Sequence, residues 1–459
     1  MGKRRKTERT TGRTGGIRRR AFLGGALAAA TFTIVPRRVL GGSGQVPPSE
    51  RLNVAKVGCG GMGHSDLRTV SRLGCNIVAM CDVDERHAAK AYGEFPDPPK
   101  YRDFRVMLEE LDDSIDAVVV STPDHTHAVA SMMAIRMGKH VYCQKPLTRT
   151  VHEARALTEA AREHGVVTQM GNQGHGGEAL RRTAEYIRAG AIGTVSEVHV
   201  WTDRPVWKQN AGRPQDTPQV PATLDWDLWL GPAPDRPYHS AYLPFSWRGW
   251  WDFGTGALGD MACHNMDPAF YVFNLKYPAS VTAECPAFSK ESFPQWSVIE
   301  WEFPAEGDRP ALKLVWHDGK RLPPRPEELE PGRGLGDNGI LFVGDRGKML
   351  GGGWAGGCRI IPEAKMREFP PPEKTLPRSI GHYDEWVEAC KGSLHDGRRI
   401  VTASDFDYAG PMTETILLGN VALRFRGQKL AWDGEGKEFA EPAEANRLLH
   451  YEYRKGWTL

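Results

Sequence analysis

A glycine-rich turn near the start of the globular region constrains the fold more than any other feature of the sequence. Gly58, Gly60 and Gly63 form the pattern G-x-G-x-x-G, which follows a short apolar run and opens a segment with helical periodicity. A second apolar run, residues 76–81, ends at Asp82. A strand, a glycine turn, a helix and a second strand ending in an acidic residue predict a dinucleotide-binding βαβ unit.

Each glycine of this turn has a physical reason. Gly58 permits the tight turn, Gly60 lets a pyrophosphate approach the backbone, and Gly63 lets the helix pack against the strand. The backbone amide groups of Gly61 and Met62 lie at the positive end of the helix, where they stabilise phosphate. The turn therefore predicts that all five residues contact the cofactor.

Asp82 indicates which dinucleotide is bound. Its carboxylate can accept hydrogen bonds from both ribose hydroxyls, and its charge repels a 2′-phosphate. The sequence therefore favours NAD, with NADP the weaker candidate. The alternative is a glycine-rich turn in a domain that binds no nucleotide.

The rest of the chain divides into two regions of different texture, which together predict an α/β protein. Residues 50–175 alternate nearly all-apolar strands with helices, as expected for a doubly wound parallel sheet of the Rossmann type. Residues 176–459 contain short segments that alternate apolar and polar positions, together with amphipathic helices. This second region predicts an α+β domain with an open, mostly antiparallel sheet.

The N-terminus has the pattern of an export signal. Residues 1–42 contain a basic stretch, the pair Arg19 and Arg20, and a short apolar run that is too short to anchor the chain in a bilayer. This order predicts a twin-arginine signal, a transient partnership with the export machinery, and a periplasmic or otherwise exported protein. A disordered basic tail is the alternative. The chain without this segment is acidic, which argues against a nucleic-acid partner.

Three further motifs follow the glycine turn. Thr122 and Pro123 follow the third main strand, with His127 in the first turn of the next helix, and Gln144-Lys145-Pro146 follows the fourth. Ligands bind at such strand ends in open α/β sheets. The remaining motif, Gly259-Asp260-x-x-x-His264, places its carboxylate and imidazole on one face of a helix.

The four motifs, in this order, resemble the glucose–fructose oxidoreductase, inositol dehydrogenase and rhizopine-catabolism (Gfo/Idh/MocA) family. The resemblance implies that Thr122, Pro123, His127, Gln144 and Lys145 adjoin the cofactor. The family usually has Glu-Lys-Pro where this chain has Gln144-Lys145-Pro146, so one negative charge near the lysine is missing. The resemblance also implies that the second domain binds substrate and forms homodimers or homotetramers through its open sheet face.

The same resemblance implies three catalytic residues. Lys145 hydrogen-bonds the reacting hydroxyl and helps to move its proton, which must leave as hydride departs from the carbinol carbon. His264 acts as acid and base, and Asp260 orients the histidine or the substrate. A helix-surface ion pair is the alternative for Asp260 and His264; a metal pair would need further ligands, and we expect no metal.

Candidate substrate contacts are weaker. Asn172 and His175 follow the last strand of the first domain, Trp251 precedes the helix of Asp260, and His382 begins a later helix. Aromatic faces stack on sugar rings, but core packing explains a tryptophan equally well. We therefore predict a small carbohydrate substrate, with these four residues in its pocket.

Three functions are compatible with this site. The first is an oxidoreductase that transfers hydride between a tightly held NAD(P) and a sugar or glycoside carbon. The second is a redox-neutral glycoside hydrolase that oxidises, eliminates and then reduces, and so needs no pair of glycosidase carboxylates. The third is a non-catalytic, NAD-bound sugar sensor. Export favours a retained cofactor in all three, because free NAD is scarce outside the cytoplasm.

Overall fold

Two β-sheets organise the computed structural model, which describes residues 51–459. The predicted signal, residues 1–42, lies outside the described residues. The strands of the first sheet are β1 (Asn53–Val57), β2 (Asn76–Cys81), β3 (Lys100–Tyr101), β4 (Ala117–Val120), β5 (His140–Cys143) and β6 (Thr168–Met170). The helices of this half are α1 (Met62–Arg72), α2 (Glu85–Glu94), α3 (Phe104–Glu110), α4 (Asp124–Arg136), α5 (Val151–His164) and α6 (Glu178–Arg188).

The second half of the chain is richer in strands. Its strands are β7 (Val195–Trp201), β8 (Ser280–Glu284), β9 (Val298–Phe303), β10 (Leu312–His317), β11 (Gly339–Gly344), β12 (Lys348–Gly352), β13 (Cys358–Ile361), β14 (Leu394–His395), β15 (Arg398–Arg399), β16 (Leu430–Asp433) and β17 (Glu438–Glu441). Its helices are α7 (Trp226–Leu230), α8 (Gly256–Asn265), α9 (Asp267–Phe273), α10 (Glu363–Glu368), α11 (His382–Cys390) and α12 (Phe406–Leu423).

The first sheet is fully parallel, in the order β3-β2-β1-β4-β5-β6. The central strands β1 and β4 are buried apart from the first residue of β1, and all four residues of β4 are inaccessible to solvent. Strand order reverses between β1 and β4. The carboxyl ends of these two strands border the crevice in which such sheets bind ligands. The predicted doubly wound Rossmann sheet is confirmed.

The second sheet has nine strands, in the order β13-β12-β11-β7-β10-β9-β8-β16-β17. Every neighbouring pair is antiparallel except β7 and β10, so the predicted mostly antiparallel sheet is also confirmed. Helix α12 covers one face, where the Trp301 indole N–H donates to the Thr415 carbonyl at 2.9 Å. None of the helices among residues 51–459 has the length and hydropathy needed to cross a membrane.

Two segments pack where the sequence did not indicate. Residues 321–337 pack against the second sheet beside the end of β7: Leu329 is buried against Trp201, whose indole donates to the Gly336 carbonyl at 3.0 Å. Helix α11 returns to the first sheet, where Trp386 packs edge-on against Tyr142, with ring centroids 5.6 Å apart. The second half of the chain is thereby fixed to the first by a shared apolar core.

Trp386→Ala tests this shared core. Removing a fully buried tryptophan leaves a cavity, so we expect the free energy of unfolding to fall by about 3–5 kcal/mol. Urea denaturation measures the loss. Val401→Ala, at a residue that is 72% exposed, is the control and should change little. Equal losses in both variants would contradict the packing described.

Candidate active site

The glycine turn forms the first wall of the site. Gly58 follows β1 with a φ of 80°, a left-handed conformation that favours glycine, and its N–H donates to the Cys81 carbonyl at 2.8 Å. A side chain on Gly63 would collide with the Gly58 carbonyl, and one on Gly60 would collide with the imidazole of His87. The amides at the start of α1 are thus left open to an anionic group.

Asp82 holds this turn in place. Its carboxylate accepts the backbone N–H of Cys59 at 2.7 Å and that of Asp84 at 2.9 Å. Burial raises the pKa of Asp82, and the two backbone hydrogen bonds oppose that rise. Each carboxylate oxygen keeps a further lone pair, which is where a ribose hydroxyl would donate.

A cavity of about 440 Å³ runs from this turn to Lys145. Nine of the residues predicted to bind the cofactor line it: Gly58, Gly60, Gly61, Met62, Asp82, Thr122, Pro123, Gln144 and Lys145. The carboxylate, the open amides and the crevice at the strand ends fit an extended dinucleotide such as NAD. His87 and Arg102, which the sequence did not single out, lie along the same cavity.

The outer wall of the cavity is a segment that we call the strap, residues 221–253. The strap pairs with the chain just beyond β2: the Glu85 N–H donates to the Thr223 carbonyl at 3.0 Å, and the Asp225 N–H donates to the Val83 carbonyl at 2.9 Å. Further along, the strap contributes cavity-lining side chains from Leu228, Trp229, Leu243, Pro244, Phe245, Trp247 and Arg248. It therefore covers the crevice from the acidic end of β2 to the lysine.

Lys145 lies at the inner end of the cavity and contacts helix α8. Its Nζ donates to a carboxylate oxygen of Asp260 at 2.9 Å and to the Asp260 carbonyl at 2.6 Å. The guanidinium of Arg248 donates to the same carboxylate oxygen at 3.1 Å, and Arg204 lies 3.9 Å from the other oxygen. Burial alone would raise the pKa of Asp260, but the charges of Lys145 and Arg248 outweigh it and hold the pKa well below its usual range.

His264 shares the helix face with Asp260 and has a different role. The described hydrogen bonds of Asp260 lead to Lys145 and Arg248, not to the imidazole, because two cations compete for its carboxylate. The His264 Nδ1 atom is buried without a hydrogen-bond partner among residues 51–459. Burial, and secondly the charge of Lys145, lower the pKa of His264 to about 3. The imidazole is therefore neutral at neutral pH.

Gln144 faces a carboxylate that the motif alone did not reveal. Its side-chain amide donates to Asp66 at 2.9 Å, and Asp66 also accepts from the hydroxyls of Tyr383 at 2.7 Å and Ser121 at 2.6 Å. The ammonium of Lys56, wholly buried on β1, donates to Ser121 at 2.5 Å. Burial lowers the pKa of Lys56, while the charge of Asp66 acts in the opposite direction.

His127 connects two of the motifs rather than lining the cavity. One ring nitrogen lies 2.8 Å from the Pro146 carbonyl and the other 2.9 Å from the Thr122 carbonyl, and the residue is 1% exposed. Both nitrogens are occupied by protein atoms, which corrects the expectation that His127 contacts the cofactor. It fixes the turns that carry Thr122 and Lys145.

Trp251 and His382 are also corrected. The Trp251 ring stacks on Phe293 with centroids 3.6 Å apart, and the Arg424 guanidinium lies 3.8 Å above it, so neither face is free for a sugar. The ring nitrogens of His382 lie near the Met170 carbonyl and the Gln169 amide, at 2.8 and 3.3 Å. Both residues belong to the packed interior.

Asn172 and His175 are buried but keep polar atoms without partners. The His175 Nδ1 atom lies 2.9 Å from the carboxylate of Asp267, which also accepts from the Tyr408 hydroxyl at 2.5 Å. The other nitrogen of His175 and the amide nitrogen of Asn172 have no hydrogen-bond partner in the described part of the chain. Neither residue is among those that line the NAD cavity, so their assignment to the substrate pocket stays a prediction.

Several site residues were missed because they come from distant parts of the chain. Arg204 and Arg248 lie in residues 204–250, a stretch rich in proline and tryptophan. It has no helical or strand periodicity from which their contact with Asp260 could be predicted. Asp66 lies four positions after Met62 in the first helix, but its partner Tyr383 follows more than 300 residues later. Asp124 was also missed, although it directly follows Pro123 in one of the motifs. Burial raises its pKa to about 7.

Both halves of the chain match domain models of one oxidoreductase family. Residues 52–172 match the model described as the oxidoreductase family, NAD-binding Rossmann fold (GFO_IDH_MocA). Residues 186–312 match the model of the C-terminal alpha/beta domain of the same oxidoreductase family. Together the two matches span more than half of the sequence.

Similar sequences include two sugar or polyol dehydrogenases. Levoglucosan dehydrogenase of Pseudarthrobacter phenanthrenivorans is 26% identical over 233 residues, which cover 49% of this chain and 51% of the relative. Inositol 2-dehydrogenase of Burkholderia multivorans is 32% identical over 152 residues, 32% of this chain and 44% of the relative. The chain thus matches about half the length of these relatives.

A solved structure with the same fold is the WlbA dehydrogenase of Bordetella pertussis, in complex with NADH and UDP-GlcNAcA. It has a TM-score of 0.58 and 18% identity, and covers 83% of this chain and 99% of that one. The family model and the likeness to NADH-bound structures identify the first sheet as an NAD-binding Rossmann domain.

The pKa of His264 predicts how stability depends on pH. Because the folded pKa, about 3, lies below the ordinary value of about 6.5, the unfolded chain binds a proton in this window that the folded chain does not. The free energy of unfolding should therefore fall as the pH decreases from about 6.5 to about 3, by up to about 1.4 kcal/mol per pH unit for this residue.

The measurement is urea denaturation over pH 4–7, with His264→Gln as the variant. Its stability should decline less steeply than that of the wild type. His395→Gln, at an exposed histidine, is the control. A slope that is the same in wild type and His264→Gln would contradict a buried neutral imidazole.

Proposed function

Because this chain belongs to the GFO/IDH/MocA oxidoreductase family, we propose that it transfers hydride between a tightly held NAD and a hydroxyl-bearing carbon of a sugar or glycoside. The observation that carries the proposal is the contact between Lys145 and Asp260, which places an ammonium group at the inner end of the NAD cavity. The relatives act on levoglucosan and inositol, as their names state, and both are ring compounds dense in hydroxyls.

NAD, when bound, supplies the hydride acceptor or donor. The chain must position the substrate and move one proton, because a carbinol hydroxyl loses its proton as its carbon loses hydride. Two of the Lys145 hydrogen bonds go to Asp260, which leaves its third proton for the substrate oxygen. Asp260 fixes the direction of that ammonium group.

His264 is the proposed proton acceptor. It is neutral before reaction, so it can accept a hydrogen bond from the substrate hydroxyl. A proton on the imidazole is favoured by the charge of Asp260 and opposed by that of Lys145. His264 would therefore hold the proton only transiently, which suits a group that must return to its starting state in each turnover.

The strap supports retention of the cofactor. It is joined to the first sheet by backbone hydrogen bonds at Thr223 and Asp225, and His125 of α4 bonds the Trp229 carbonyl at 2.9 Å. A cofactor enclosed by packed backbone leaves only when that packing opens. NAD is therefore proposed to act as a resident group that is regenerated in place.

The proposal includes export and assembly. Residues 1–42 would direct the folded holoenzyme through the twin-arginine route to the periplasm. A second copy would pair along the outer face of the nine-stranded sheet, where Lys313 lies 2.6 Å from Glu197 and 4.0 Å from Glu300. A homodimer or homotetramer is proposed on this face.

The redox-neutral glycoside hydrolase is the second candidate, because an enclosed NAD suits a hydride that is borrowed and returned. Its signature is free sugar released from an aryl glycoside without net NADH. A dehydrogenase instead accumulates a keto-sugar or lactone. A non-catalytic sugar sensor, the third candidate, would work without Lys145.

Lys145→Ala tests the catalytic assignment. We expect turnover of levoglucosan, myo-inositol or p-nitrophenyl glycosides to fall at least a hundredfold, since the group that holds the reacting oxygen is gone. NAD content should not change. Lys290→Ala, at an exposed lysine, is the matched control. Full turnover in Lys145→Ala would refute the role of the lysine, whereas no turnover of any probe by the wild type would favour a sensor.

Cofactor retention is tested by native mass spectrometry of protein recovered from the exported fraction. We expect bound NAD in the wild type. Phe245→Ala removes a strap side chain that lines the cavity and is 45% exposed, so the fold should survive while NAD exchange with labelled NAD accelerates about tenfold. Leu394→Ala, exposed outside the strap, should exchange like the wild type. Equal rates of NAD exchange in all three proteins would show that the strap does not retain the cofactor.

A further inference from the structure

A glycine-rich loop on the second sheet adopts a strained conformation. The loop, residues 353–357, reads Gly-Trp-Ala-Gly-Gly and connects β12 to β13. Trp354 and Ala355 have φ angles of 55° and 53°, a left-handed region that side chains other than glycine rarely adopt. Such strain persists only where surrounding structure imposes it, and it concentrates at ligand-binding sites.

The surrounding structure that fixes the loop belongs to the candidate active site. The Trp354 N–H donates to the side-chain oxygen of Asn265 at 2.9 Å, and Asn265 directly follows His264 on α8. On the other side, a side chain on Gly174 would collide with the Trp354 carbonyl, so the loop lies directly against the turn that carries His175. The backbone of Trp354 is thus held between two site elements.

The indole held in this way is open to solvent. Trp354 is 48% exposed, and its ring centroid lies 6.4 Å from that of the His264 imidazole at an angle of 42°. The fixed backbone and exposed ring differ from Trp251, whose two faces are covered by Phe293 and Arg424. The exposed indole is apolar and the His264 imidazole beside it is polar, so the pair fits a ligand with both C–H and hydroxyl groups.

We propose that Trp354 is the stacking platform for the carbohydrate substrate: the apolar C–H face of a sugar ring lies on the indole while a ring hydroxyl reaches His264. This inference rests on the proposed function and adds the residue that positions the ring. The proposal also explains why a strained position is occupied by tryptophan. A glycine at position 354 would relieve the backbone strain, but the indole would be lost. The loop gives up local stability to present the indole.

The test compares Trp354→Gly and Trp354→Phe with the wild-type holoenzyme. The probe is whichever of levoglucosan, myo-inositol and the p-nitrophenyl glycosides the wild type turns over fastest. We expect KM to rise about tenfold or more in Trp354→Gly and by less in Trp354→Phe, which keeps a smaller ring. NAD content should be unchanged, and the melting temperature should change little, because relief of strain offsets the added freedom of glycine in the unfolded chain.

A second readout does not depend on turnover. In protein labelled with 5-fluorotryptophan, the ¹⁹F resonance that disappears in Trp354→Phe belongs to Trp354. This resonance should shift when the probe sugar is added to Lys145→Ala holoenzyme, which binds but does not react. Trp296→Phe supplies the control, because Trp296 lies under Arg321 and does not line the NAD cavity.

The outcomes separate this inference from the proposed function. Unchanged KM in Trp354→Gly, or a probe that shifts other tryptophan resonances but not that of Trp354, overturns the platform and leaves the oxidoreductase proposal standing. If the wild type turns over none of the probe sugars, the proposed function fails and the platform fails with it. A raised KM together with a shifted Trp354 resonance supports both.

Discussion

The contact between Lys145 and Asp260 joins the two halves of the molecule at the reacting centre. The lysine follows the fifth strand of the parallel sheet, and the aspartate lies on a helix packed under the antiparallel sheet. Separating the two groups would leave each charge without its partner. The pair therefore fixes how closely the helix approaches the cofactor cavity, and with it the position of His264.

The cations around Asp260 also set the electrostatics of the centre. Lys145 and Arg248 both donate to its carboxylate, and Arg204 lies nearby, so one negative charge is shared among three positive groups. Burial is the main reason that the His264 imidazole stays neutral, and the charge of Lys145 lowers its pKa further. In the proposed reaction, the excess of positive charge around Asp260 would stabilise negative charge that develops on the substrate oxygen, because the compensating protein groups are already in place.

The parts of the site that the sequence predicted are those fixed by local geometry. The glycine turn, Asp82 and the strand-end motifs each depend on residues within one βαβ unit, where spacing determines position. Arg248 and Trp354 could not be placed in the same way, because their positions depend on a strap and a loop packed by contacts more than 70 residues away in sequence. Trp251 and His382 were assigned to the pocket on residue type, but the Trp251 ring stacks on Phe293 and the His382 imidazole lies within hydrogen-bond distance of the Met170 carbonyl.

The substitution of glutamine for the usual glutamate before Lys145 is explained by the same reasoning. In this chain a carboxylate is still present near that position, but Asp66 carries it from the first helix, and Gln144 bonds to it through its amide. The charge of Asp66 is compensated by Lys56 through Ser121, so the carboxylate belongs to a network beneath the glycine turn rather than to the lysine. Lys145 then has Asp260 as its anionic partner, and its ammonium is directed toward the second sheet, where the substrate is expected to bind.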